Sequence, residues 1–100
     1  MILVWTRRAS IGRAEIIDRI GRDNPAAAQA LDDRFSQKSR LLIDHPHLGR
    51  PGRMGGTREL VVHPSYILIY DVTRTAVRIL RVMHAARQWP PRRGRGGGGS

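Results

Sequence analysis

The chain of 100 residues contains no cysteine, one lysine and only five aromatic side chains. Without cysteine there can be no disulfide framework and no thiolate metal site, which suits a reducing compartment. With so few aromatics, the core must be built mainly from Ile, Leu, Val and Ala. Long apolar runs are also missing. The N-terminal "MILVWTRRAS" holds five apolar residues in a row, too few for a signal peptide or a membrane span, so a soluble cytoplasmic protein is expected. Acidic residues are scarce, eight against eighteen basic ones, for a formal net charge of +10.

What is present is mostly arginine, unevenly spread. Residues 1–49 carry eight bases and six acids, residues 50–91 seven bases and two acids, and the last nine residues three bases and no acid. A basic C-terminal half points to a polyanionic target, an acidic protein partner, or both. Base composition of the genome offers another source for an arginine excess. The ending "RRGRGGGGS" is low-complexity and linker-like, which divides the chain into a domain over 1–91 and a flexible tail over 92–100.

Local patterns give an element order. "ILVW" at 2–5 reads as a short buried strand, and Thr6 as the N-cap of a helix with Ala9, Ile16, Ile17 and Ile20 at helical spacing, ending at Gly21. Asn24 followed by Pro25 starts a second helix. Its face is Ala28, Leu31, Phe35 and Leu42, with Asp32, Asp33, Gln37 and Lys38 toward solvent, and it ends near Ile43. The Pro- and Gly-rich stretch 44–56 reads as loop. Three β-type runs follow, "TRELVV", "YILIYDV" and "AVRILRVM", separated by "HPS" and "TRT", links short enough for antiparallel hairpins. The expected fold is α+β. A short N-terminal strand joins one edge of an antiparallel sheet, and two helices cover one face.

The stretch "RVMHAARQWPP" asks for a functional reading, because a strand that only fills a core has no need of His84, Arg81 and Arg87 at its exit. Its ordinary reading is a sheet-edge cap, with Trp89 packed over a helix end. Arg78 reads as a solvated strand position and Tyr70 as a core residue with a satisfied hydroxyl. His45 and His47 flank Pro46 and supply too few ligands for a metal; no metal or cofactor is expected.

The segment "HPHLGRPGRMGGTRELVVHPSYILIYDVTRTAVRILRVMHAARQWP" resembles the C-terminal half of toxins of the RelE/ParE superfamily of bacterial type II toxin–antitoxin systems. The carriers are the "GTREL" strand, the "YILIY" strand and the final "ILRV-H-ARQWP". The resemblance implies a bacterial cytoplasmic toxin masked by an acidic antitoxin whose C-terminal segment wraps it. It also implies one of two targets: mRNA in the ribosomal A site, cleaved without a metal, or DNA gyrase, poisoned by a toxin that is not itself an enzyme. The first is favoured slightly. Metal-free RNA cleavage needs a base for the 2′-OH, cations for the phosphorane and an acid for the leaving oxygen. Candidate catalytic residues are therefore Arg81, His84, Tyr66 and His63, with Arg58, Arg87 and Arg53 as nucleic-acid contacts. Ile67 stands where an RNA-cleaving member carries arginine. Strict strand alternation sets Arg81 and His84 on opposite faces, so their convergence requires the strand to end near Met83.

Overall fold

A computed structural model describes residues 1–85. The order is β1 (Ile2–Trp5), α1 (Arg7–Asp23), α2 (Pro25–Asp44), β2 (Arg50–Pro51), β3 (Arg58–His63), β4 (Tyr66–Val72) and β5 (Ala76–His84). The strands form one sheet in the order β1-β5-β4-β3-β2, with both helices on one face. The α+β class and the strand–helix–helix–meander order match the sequence expectation. Arg87, Trp89 and the tail over 92–100 lie outside the described residues.

Three local details differ. The sheet is mixed rather than antiparallel throughout, because β1 pairs in parallel with β5, Leu3 beside Val77 and Trp5 beside Ile79. The two helices return the chain across the sheet, so the third strand of the meander ends up running the same way as the first. Within the expected loop, Arg50 and Pro51 pair with Glu59 and Arg58 as a two-residue edge strand. Gly21 does not stop α1; the Asn24 N–H still reaches the Ile20 carbonyl, and Asn24 both closes α1 and caps α2 by accepting from the Ala27 N–H. An amide that serves two helices leaves a one-residue connection.

Ala9, Ile16, Leu31, Phe35 and Leu42 from the helices pack on Leu60, Val62, Tyr66, Leu68, Tyr70, Val77 and Ile79 from the sheet. Arg13 is drawn into the seam between the helices. Its guanidinium bonds Asp32 Oδ1, the Asp32 carbonyl and Ser36 Oγ, and lies 4.6 Å from the Trp5 ring centroid. Asp32 is thus paired while its side chain stays partly open to solvent. Arg78 is exposed, as a solvated strand position should be, and there makes a two-pronged ion pair with Asp71 on the adjacent strand. That pair raises the Arg78 pKa above its ordinary value, chiefly through the hydrogen bond.

Thr6 joins the first strand, the first helix and the last strand. Its Oγ1 accepts from the Ala9 N–H at 3.2 Å and donates to the Ile79 carbonyl at 2.8 Å. Thr6→Ala removes both bonds and should lower the unfolding free energy by about 1–2 kcal/mol. Thr6→Ser should restore most of it. A urea titration of the three proteins checks this, and an unchanged midpoint for Thr6→Ala contradicts the cap.

Candidate functional site: a cationic cleft beside the last strand

The meander brings three of the four catalytic candidates into ring contact at one end of the sheet. Tyr66 is opposite His84 in the β4–β5 register and next to His63 in the β3–β4 register. The ring centroids are 4.9 Å apart for Tyr66–His84 and 5.7 Å for His63–Tyr66. A bulge after Val61 seats His63, whose Nδ1 accepts from the Ser65 N–H at 3.0 Å. The Ala85 N–H donates to the Ser65 carbonyl, closing the row. Tyr66 is only 5% exposed, edge-on to Phe35 of α2. Both imidazoles are half-buried, so they are the groups of this row that solvent and a ligand can reach.

Arg81 is opposite Ile69 and His84 opposite Tyr66, with Leu80 as the extra residue of a bulge. β5 continues to His84 rather than ending near Met83, yet Arg81 and His84 line one cleft. The reason is that the cleft runs along the edge of the strand. Its wall is the four consecutive residues Arg81, Val82, Met83 and His84, and an edge is touched by side chains of both faces. The opposite wall is α1, with Arg8, Ile11, Gly12, Glu15, Ile16 and Arg19; the volume is about 360 Å³.

The electrostatics follow from that list. Three guanidinium groups and an imidazole surround a single carboxylate, Glu15. Partial burial, and after it the charge of Arg8, lower the Arg81 pKa from its ordinary value. Arginine does not lose its proton in the working pH range, so two cations stay close together, an arrangement that an anion relieves.

Arg58 and Arg53 are elsewhere. Arg58 pairs with Tyr70, at the far end of β3 from His63, a separation of about 17 Å along the strand. Its guanidinium donates to the Gly49 and His47 carbonyls, holding down the loop before β2. Arg53 is exposed in the β2–β3 connection, where its backbone N–H donates to Glu59 Oε2. Glu59, 3% exposed, also takes two bonds from Arg50. Sequence reading missed Arg8 and Arg19. Their signal was helical spacing, since Arg8, Ile11, Glu15 and Arg19 fall on one face of α1, but nothing local says which strand that face meets. Among the described residues there is no group of three or more His, Cys, Asp or Glu suited to a metal ion, and no helix long and apolar enough to cross a membrane.

This layout is a small α+β architecture, a two-helix hairpin on a mixed sheet with a basic cleft at the last strand. It superposes on a chain of a chromosomal ParDE toxin–antitoxin system from P. aeruginosa with a TM-score of 0.74 at 24% identity, covering 84% of this chain and 95% of that one. The family model for the ParE toxin of the type II toxin–antitoxin system, parDE, matches residues 3–89, and the chain belongs to that family. Its relatives include Y4kP, a candidate toxin of Sinorhizobium fredii, 44% identical over 87 residues, 86% of this chain and 90% of the relative. Toxin RelE2 of Caulobacter vibrioides is 40% identical over 85 residues, 85% of this chain and 96% of the relative. The chain is therefore a RelE/ParE-superfamily toxin of a type II system, and an antitoxin is its partner.

Proposed function

We propose that the protein arrests growth in the bacterial cytoplasm by cleaving mRNA on the ribosome without a metal, at the cleft between α1 and β5. The observation that carries this reading is that Arg81 and His84 line one cleft together with Arg8 and Arg19. In the proposed chemistry the guanidinium groups hold the scissile phosphate and stabilise the charge that builds up as it becomes a phosphorane. His84 transfers the proton, as base toward the 2′-OH or as acid toward the leaving 5′-oxygen. Tyr66, buried against Phe35, fixes the His84 ring. His63, on the other side of Tyr66, is the second imidazole. Arg53 and Arg58 lie too far off for the same phosphate and suit contacts further along the nucleic acid, Arg58 only as far as its bonds to the loop permit.

Purified toxin added to translating ribosomes should give discrete cuts in the message, and His84→Ala should reduce the cutting rate by about 10²–10⁴-fold. Primer extension reads both. Intact message at toxin levels that stop growth would falsify the cleavage reading.

A second reading is favoured by a different feature. Val61 is 51% exposed and pairs with Ile67, itself paired with Met83, so an apolar strip crosses the sheet on the face away from the helices. An apolar strip suits a protein target better than a nucleic acid, and together with the ParE family match it supports poisoning of DNA gyrase by a toxin that performs no chemistry itself. In that case expression should accumulate gyrase-linked DNA breaks while translation continues at early times.

A further inference from the structure

Cleavage of RNA through its own 2′-OH moves two protons. One leaves the attacking hydroxyl and one reaches the departing 5′-oxygen, and those two oxygens lie roughly in line on opposite sides of the phosphorus. A site that does both holds a proton acceptor and a proton donor that face each other across the phosphate. The cleft offers few groups for this. Its arginines keep their protons throughout the working pH range, and most of the remaining lining is apolar. What is left is one imidazole, His84, on the strand wall, and one carboxylate, Glu15, on the helix wall. His63 does not line the cleft, because the Tyr66 ring stands between it and His84.

Position and freedom both suit Glu15 to this place. Arg8 lies seven residues before it and Arg19 four residues after it, two turns and one turn of helix, so the carboxylate shares one face of α1 with both cations. Among the described residues the Glu15 carboxylate nevertheless makes no hydrogen bond and no ion pair. Glu59 is the opposite case, buried and tied by Arg50 and the Arg53 N–H, a carboxylate committed to holding the fold. Glu15 is exposed, so the fold does not depend on it. Three guanidinium groups against one carboxylate still leave the cleft positive enough to hold a phosphate.

We infer that Glu15 is the general base of the cleavage reaction and His84 its general acid. The inference rests on the mRNA-cleavage reading of the same cleft. The Glu15 carboxylate takes the 2′-OH proton and the 2′-oxygen bonds to phosphorus. The bond from phosphorus to the 5′-oxygen breaks, and the His84 imidazolium protonates that oxygen. The products are a 2′,3′-cyclic phosphate and a 5′-OH end, and both side chains return to their starting forms by proton exchange with water. The rate rises with pH as Glu15 loses its proton and falls as His84 loses its own. The charged and titratable groups facing the pair are Arg8 and Arg19 from α1, Arg81 from β5 and Tyr66 from β4.

The test uses the full chain and ribosomes programmed with a synthetic message. The cut is mapped first, and a second message then carries sulfur in place of the bridging 5′-oxygen at that linkage. A thiolate leaves without being protonated, so sulfur removes the need for the acid and not for the base. Glu15→Gln should cut the ordinary message about 10²–10⁴-fold more slowly at saturation, and its rate should lose the rise on the acid side of the pH profile. It should bind the message at least as tightly as the unaltered protein, since a negative charge has gone, and its urea midpoint checks that it is folded. The sulfur message should restore His84→Ala by about tenfold or more and leave Glu15→Gln slow. A Glu15→Gln rate within about threefold of the unaltered protein, or a sulfur message that restores Glu15→Gln instead of His84→Ala, overturns the inference. Intact message with the unaltered protein rejects the cleavage reading and the role of Glu15 with it. Cutting that persists undiminished in Glu15→Gln rejects the role alone.

Discussion

Phe35→Ala should lower the unfolding free energy by about 3–5 kcal/mol, the range for emptying an aromatic core site. Phe35 is fully buried at the centre of α2 and touches two strands, with Trp5 of β1 edge-on at 6.4 Å and Tyr66 of β4 edge-on at 6.0 Å. The Arg13 guanidinium also lies 5.6 Å from its ring centroid. No single neighbour can close the space, because the contacts belong to three different elements. Thermal unfolding should move down by more than about 10 °C for a domain of this size. Since Tyr66 packs directly on His84, the same substitution should loosen the candidate site, visible as line broadening of the His84 ring resonances below the melting range. A loss of less than about 1 kcal/mol would show that the helices and sheet do not share this core.

Gly49→Ala should cost about 3 kcal/mol, for a reason unconnected with backbone freedom. A Cβ at that position falls 2.7 Å from the Glu59 carbonyl oxygen and 2.8 Å from both Cε1 and Oη of Tyr70. None of these can move cheaply. Tyr70 is fully buried, accepts from the Gly49 N–H at 2.9 Å and donates to the Pro46 carbonyl at 2.8 Å. The added methyl therefore forces either overpacking, about 1–3 kcal/mol, or the loss of buried hydrogen bonds at about 1–3 kcal/mol. Denaturant unfolding gives the magnitude, and amide exchange over residues 45–52 should show the loop before β2 opening. If the midpoint stays where it was, the close approach of loop and tyrosine is not a feature of the folded protein in solution.

Tyr70 also shows how a sequence reading succeeds. Its place in "YILIYDV", in step with Tyr66, puts both rings on the core face by simple alternation, and a buried phenol needs partners. That reading required only neighbours along the strand, and the partners are there. Arg58 shows the opposite. "GTREL" offers an arginine on a strand, and nothing in its surroundings in sequence says that its guanidinium will be spent on two loop carbonyls about ten residues earlier. Arg81 and His84 lie between. Their alternation was legible and the register keeps it, but alternation alone separates them. What unites them is a strand edge left open by the departure of the chain at Thr6, and that edge depends on a partner 73 residues away.

The sequence alone determined the order of strand, two helices and three strands, the apolar faces of both helices, the Thr6 and Asn24 caps, and the accumulation of positive charge toward the C-terminus. These are matters of spacing and of groups a few residues apart, and local chemistry settles them. The tertiary structure decided the parallel pairing of β1 with β5, the small edge strand of Arg50 and Pro51, and the meeting of Arg8 and Arg19 with Arg81 and His84. Each of these depends on which distant segments come to lie side by side, and that is set by how the helices pack on the sheet to bury Phe35 and its neighbours. Periodicity records which way a side chain faces; only the packed chain records what it faces.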